Sequence, residues 1–267
     1  MPWLRDHWYS SEADTTKWGT QSFASMTLVS RSRFGDAGRA ADKVALGPIW
    51  RAKYPSRFER DALCCDLLLP SLGPAPSRSR SPSSTSTVAP VTAMSSSVSP
   101  ESLPQKYLSR IRLINVHLDS LPIQPSLRPR QLSIIASYLR AAGRGLVAGD
   151  FNPVLPEDDT LVSANRLVDA WTELHPNEAG FTWGFDGNQP FPPIRLDKVA
   201  MVRLKAYDIQ VIPPGTCMGT GTSGQEREQQ VGAPLLKQEQ EQRHDHDSPL
   251  RWSDHSGLMC SFALVGT

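Results

Sequence analysis

Gly145-Leu146-Val147-Ala148-Gly149-Asp150-Phe151-Asn152 is the stretch on which the fold turns. Leu146, Val147 and Ala148 make the short apolar run expected of a strand covered on both faces. Gly149 then allows a sharp exit into the polar pair Asp150 and Asn152. A carboxylate and an amide are thus delivered to a strand end, which in open α/β architectures is where ligands sit. An ordinary Asp-x-Asn turn would read the same way, so the neighbouring segments decide. Ile111 to Leu118 reads as a strand. Leu127 to Ala142 carries Leu132, Ile135, Ala136 and Leu139 at helical spacing, with Gly143 as a stop signal. Strand, helix and the Leu146 strand together make a strand-helix-strand unit of an α/β or mixed sheet.

Working outward, Phe23 to Ser30 reads as a strand, and Val44 to Tyr54 as another interrupted by Gly47 and Pro48. Asp61 to Leu69 is a third strand whose apolar run implies burial. Leu167 to Leu174 reads as a short helix, Gly180 to Gly184 as a loop with an aromatic, and Ile194 to Leu204 as a strand holding Asp197. An Asp inside a strand asks for a partner: a backbone amide, Arg195, or a histidine whose tautomer it fixes. Leu258 to Val265 is the closing strand. Two segments, 71–105 and 213–249, are rich in Ser, Pro, Thr, Gln and Glu and cannot offset the entropy of ordering. They are expected to be disordered insertions in a single domain spanning 1–267. The first would expand a hairpin loop between the strands ending at Leu69 and starting at Ile111, because loop length costs little stability.

The 267 residues carry a formal charge of +1, so any nucleic-acid binding rests on local features and not on the net field. Cys64, Cys65, Cys217 and Cys260 show neither zinc spacing nor a secreted disulfide framework, which fits a reducing compartment. No stretch approaches the roughly 20 apolar residues that span a bilayer. A soluble intracellular protein of nucleus or cytoplasm, without a membrane partner, is expected. His244-Asp245-His246-Asp247 offers metal-binding side chains, but a solvated tract is its simpler reading.

Chemistry-bearing residues recur beside strands: His117 at one strand end, Asp150 and Asn152 after a second, Asp197 in a third, Asp254 and His255 before a fourth. Structural polar residues would be scattered over loops instead. His117-Leu118-Asp119-Ser120, Gly149-Asp150-Phe151-Asn152, Arg195-Leu196-Asp197-Lys198-Val199 and Ser253-Asp254-His255 resemble the ordered motifs of the endonuclease/exonuclease/phosphatase superfamily. Within it, Trp3-Leu4-Arg5-Asp6, Arg60 before its strand, Arg130-Gln131-Leu132 and Phe181-Thr182-Trp183 resemble the tyrosyl-DNA phosphodiesterase 2 branch and its fungal relatives.

The resemblance implies a two-sheet α/β sandwich with helices outside, a magnesium ion (manganese as a substitute) and hydrolysis of phosphoester bonds. It implies that Asp150 orients and helps deprotonate the attacking water, while Asn152 fixes that water or a phosphate oxygen. It implies that His255 donates to the charge developing on phosphoryl oxygens, that Asp197 holds a catalytic histidine in its tautomer, and that His117 approaches from the opposite wall. Ser120 and Trp183 resemble positions that contact a 5′-phosphate end and the DNA strand. Asp254 lies in the metal's neighbourhood. The implied partner is DNA with a 5′-phosphoryl or 5′-phosphotyrosyl end, and the implied role is DNA repair. The family's first-strand Asn and its metal-binding Glu have no counterpart before Trp3, so a sandwich lacking its first strands and a weakened metal site are expected. Asp119 and Asp254 are the substitutes available for that Glu. The alternatives are a non-catalytic or fragmentary relative that at most binds nucleic acid, and a phosphatase of lipid or inositol phosphates.

Overall fold

The near-continuous apolar run of Asp61–Pro70 and the strand Tyr107–His117 meet as antiparallel neighbours, and the rest of the main sheet is laid against them. The computed structural model describes residues 6–11, 25–34, 44–70, 107–184, 191–214 and 253–264. The expected insertion 71–105, and all of 213–249 except Pro213 and Pro214, lie outside the described residues.

The strands are β1 (Trp8–Ser10), β2 (Leu28–Ser30), β3 (Ala45–Lys53), β4 (Asp61–Pro70), β5 (Tyr107–His117), β6 (Gly145–Asp150), β7 (Val168–Asp169), β8 (Asp197–Val202), β9 (Leu204–Ile212) and β10 (Gly257–Leu264). The helices are α1 (Arg128–Ala142), α2 (Leu161–Ala164) and α3 (Ala170–Leu174), with a 3-10 turn at Pro156–Thr160. Six strands pair in the order β3-β4-β5-β6-β8-β7, while β9 pairs with β10 and β1 with β2. Among the described strands only β5 and β6 pair in parallel, the two being joined through α1, as a strand-helix-strand unit requires.

Period two along each strand sorts the side chains into two layers. Cys64, Ile114, Val116, Val147 and Ala200 face α1, whose Leu132, Ile135, Ala136 and Leu139 are fully buried against them. Cys65, Leu67, Ile111, Leu146, Val199 and Met201 face the other way, where Leu204, Ala206 and Ile209 of β9 and Trp171 of α3 close the second layer. Leu258, Cys260 and Phe262 of β10 are half-buried on that layer. This is the two-sheet α/β sandwich, with its helix on the outside. Among the described cysteines Cys64, Cys65 and Cys260 are free, and burial pushes the Cys64 thiol up to about 12.

Several elements depart from the sequence reading. Of the strand expected over Phe23 to Ser30, Phe23 and Ala24 lie outside the described residues, and pairing is confined to Leu28–Ser30. The Gly47-Pro48 interruption does not end β3; a register shift between Leu46 and Ile49 absorbs it as a bulge. The helix expected over Leu167 to Leu174 starts only at Ala170, because Val168 and Asp169 pair with Met201 and Ala200, and Asp169 then caps α3 by accepting from Trp171 N at 3.1 Å. The strand expected over Ile194 to Leu204 stops at Val202. Arg203 takes φ 50°, turning the chain out of the large sheet and into β9.

A buried ion pair locks the start of α1. Arg128 is 1% exposed and donates through Nε to Asp158 Oδ2 at 2.8 Å, and through Nη1 to the carbonyls of Asp119 and Leu121 at 2.8 and 3.0 Å. Asp158 in turn accepts from Leu155 N and Ser126 Oγ. Removing one partner leaves an uncompensated buried charge, so Asp158→Ala is expected to cost about 3–5 kcal/mol. Urea unfolding checks this, and a loss under about 1 kcal/mol would show that the pair is not buried in solution.

Candidate active site

The register of the sheet builds the first part of the site. His117 pairs with Asp150, and Asp150 with Asp197, so three polar side chains stand in a row across β5, β6 and β8. Each lies an even number of residues from a neighbour on the sandwich face, Leu113, Leu146 and Val199, so all three project on that face. His117 Nε2 is 3.3 Å from Asp150 Oδ2. Gly149 makes this register possible: it sits at φ 133°, and a Cβ there would lie 2.0 Å from Val116 O.

The loop after β6 is pinned by its own residues. Asp150 Oδ1 accepts from Asn152 N at 2.8 Å, and Asn152, at φ 46°, donates Nδ2 to Leu118 O at 3.1 Å. An amide carries two N–H groups, so this brace is compatible with a second contact. Asn residues tolerate the left-handed conformation better than most.

His255 is brought to the row by two cross-links. Its backbone bridges Trp183, and Ser256 N donates to Thr182 O at 2.7 Å. Its Nδ1 donates to Asp197 Oδ2 at 2.8 Å, since a carboxylate only accepts, and this leaves Nε2 as the outward nitrogen. The hydrogen bond to Asp197 raises the His255 pKa above its ordinary value; burial opposes this, and the charges of Asp197, Asp150 and Asp254 add to it. Trp183 Nε1 donates to Asp254 Oδ2 at 3.3 Å. Ser120 is held from behind by Arg60 Nη1 at 2.8 Å.

Contacts therefore link His117, Asp150, Asn152, Asp197, His255, Trp183 and Asp254 in one continuous set, with Ser120 joined through the Leu118 to Ser120 segment. Arg195, considered above as a partner for Asp197, instead binds Asp169. Asp119, considered as a substitute metal carboxylate, is 3% exposed and accepts from Ser56 Oγ, Arg57 N and Gln131 Nε2. Both of its oxygens already accept hydrogen bonds that brace this segment.

Three supporting residues are absent from the sequence-based site. Arg60 also donates to Leu118 O, stacks over Phe58 at 4.9 Å and lies in the field of Asp150 and Asp119. It brings a cation near Asp150 and Asp119. Gln131 is fully buried, accepting from Asp119 N and donating to Pro55 O, so α1 fixes the segment that bears His117 and Ser120. Thr182 Oγ1 accepts from Leu196 N and Asp197 N at 3.1 and 3.0 Å and orients the start of β8. Their signal was their place inside motifs, Arg60 before a strand, Gln131 in Arg130-Gln131-Leu132 and Thr182 beside Trp183.

Among the described residues no group of three His, Cys, Asp or Glu side chains converges as a protein cage for a metal. Magnesium usually keeps several waters and takes one or two carboxylates plus substrate oxygens.

No protein-family model matches the chain, and no curated protein sequence matches it. Solved structures do. A D. rerio TDP2 humanized by 14 mutations superposes with a TM-score of 0.55 at 15% identity, covering 98% of this chain and 80% of that one. D. rerio TDP2 complexed with single strand DNA product gives 0.54 at 15% identity over the same shares. The chain has the α/β sandwich fold of these proteins.

Proposed function

We propose that this chain is a metal-dependent phosphodiesterase acting at DNA 5′ ends, of the 5′-tyrosyl-DNA kind, in a single catalytic domain interrupted at 71–105 and 213–249. The observation that carries the reading is the row His117, Asp150 and Asp197 with His255 anchored on Asp197 at 2.8 Å. Such a row faces a phosphoryl group with an acceptor for a water's proton on one side and a charged donor on the other.

In this reading Asp150 positions the attacking water and takes its proton, with His117 beside it. His255 Nε2 donates to the phosphoryl oxygens as charge develops, and Asp197 acts through it as a positioning residue. Ser120 Oγ, already accepting from Arg60, keeps its hydroxyl hydrogen for a phosphate oxygen. Trp183 offers an aromatic face to a base of single-stranded DNA, the class of product with which D. rerio TDP2 was crystallised. A magnesium ion held by Asp254 and Asp150 would supply charge neutralisation to the phosphoryl group. The branch of tyrosyl-DNA phosphodiesterase 2 and its fungal relatives, an intracellular setting and a DNA-repair role belong to the same proposal. No described helix is long and apolar enough to cross a membrane.

One observation favours a second reading. With two carboxylates in place of a cage, the chain would bind metal weakly and act as a slow or non-catalytic relative that still binds single-stranded DNA. The discriminating experiment incubates the 267-residue protein with a 5′-phosphotyrosyl oligonucleotide and raised magnesium or manganese. Slow release of a 5′-phosphate product, abolished in Asp150→Asn, is expected. DNA binding without turnover at any metal concentration would establish the second reading, and neither binding nor turnover would remove both.

A further inference from the structure

Behind the strand that carries Asp197 lies a second chamber. A cavity of about 520 Å³ opens between the 3-10 turn, α2, β7, α3 and the start of β8. Asp197 faces the candidate active site, whereas Lys198, on the opposite face of β8, lines this cavity together with Arg195, Asp169, Asp159, Glu173 and Ser163. The Lys198 side chain is only 12% exposed, and its Nζ stands 3.9 Å from Asp169 Oδ2, beyond hydrogen-bond reach. Asp169 is committed elsewhere: both its oxygens take Arg195 Nη1, at 3.0 and 2.9 Å, and Oδ1 caps α3. A largely buried amine thus stands beside a fixed guanidinium, in ion-pair range of Asp169 but not hydrogen-bonded to it, in a space large enough for a small ligand. Nothing in the phosphodiester chemistry uses it.

We propose that Lys198 is an acyl-acceptor site, taking small uncharged acyl groups from activated donors of the anhydride or thioester class that enter this cavity. The lone pair of the neutral Nζ attacks the donor's carbonyl carbon. The new C–N bond forms as the bond to carboxylate or thiolate breaks, and the proton left on nitrogen passes to water at the cavity mouth. The product is a neutral amide, which removes one cation facing Asp169. The neutral amine required is available near physiological pH: burial, then Arg195, pushes Lys198 down to about 8, against the opposing fields of Asp169, Asp159 and Asp197. Glu173 and Asp158 are the remaining acidic groups on the cavity wall, and Asp158 is already paired with Arg128.

Competitive labelling of the folded protein with trace acetic anhydride, read by peptide mass spectrometry over a pH series, tests the proposal. At neutral pH Lys198 should label about tenfold faster than the exposed Lys53 and Lys205, an estimate that discounts the larger gain in neutral amine for restricted access. Its rate should level off above about pH 8. Lys198→Arg should lose that label and keep the others. Ser163→Trp, which places bulk on the cavity wall, should slow labelling of Lys198 alone. Labelling of Lys198 no faster than that of Lys53 and Lys205 would overturn the proposal, and so would labelling indifferent to Ser163→Trp. Neither outcome depends on whether the protein hydrolyses DNA.

Discussion

Replacing His255 by alanine is expected to lower turnover of a 5′-phosphotyrosyl oligonucleotide by about 100- to 1000-fold with little change in KM, the loss typical of one preorganised donor to a developing oxyanion. The pH dependence gives the more diagnostic result. The hydrogen bond from Nδ1 to Asp197 raises the imidazole's pKa above 6.5, so the protonated donor persists beyond the ordinary histidine range and activity falls only as pH rises through the raised value. Asp197→Asn removes the largest cause of that shift, and the basic limb of the pH profile should move to lower pH. The same pair has a stability signature of matching sign, with its contribution full below 6.5 and lost as pH rises through the folded value. A basic limb that stays in place in Asp197→Asn would mean that another group donates to the phosphate.

Gly149→Ala should be the most damaging glycine-to-alanine change among the described residues. At φ 133° an L side chain is strained, and the added Cβ would sit 2.0 Å from Val116 O, a backbone atom that cannot turn aside. Relief would require β5 and β6 to part just where His117 pairs with Asp150. A loss of at least about 3 kcal/mol is expected, seen as a large fall in the denaturation midpoint or as failure to fold. Gly143→Ala is the control, because Gly143 also has positive φ, 88°, but open space where its Cβ would lie. It should cost about 1 kcal/mol. Equal effects from the two substitutions would mean that the β5–β6 register drawn here is wrong.

The residues that were legible in the sequence are those whose neighbours are local or periodic. Leu132, Ile135, Ala136 and Leu139 announce α1 by spacing alone, and Leu146 to Ala148 announce a covered strand. Asp150 and Asn152 could be placed because a glycine and a strand end fix their position. The corner at Arg203 had no such signal: a left-handed arginine carries no mark in the sequence, and the alternation runs straight through it from β8 into β9. Val168 and Asp169 read as helix because their sheet partners, Met201 and Ala200, lie more than thirty positions away. Thr182 and Arg60 are ordinary polar residues until the tertiary structure shows which backbone groups they hold. Asp119 illustrates the converse, a motif carboxylate whose oxygens are consumed by Ser56, Arg57 and Gln131.

The two long connections bear differently on the cleft. Pro70 and Tyr107, where the first leaves and returns, lie at the end of β4 and β5 remote from His117, roughly 30 Å along an eleven-residue strand. Ile212 and Gly257, which flank the second, are paired with each other only two residues from His255. A fluorophore attached beside Pro70 or Tyr107 would therefore sit at the far end of the strand from His117. One attached beside Ile212 or Gly257 would stand close to His255 and serve as a sensor of whatever enters.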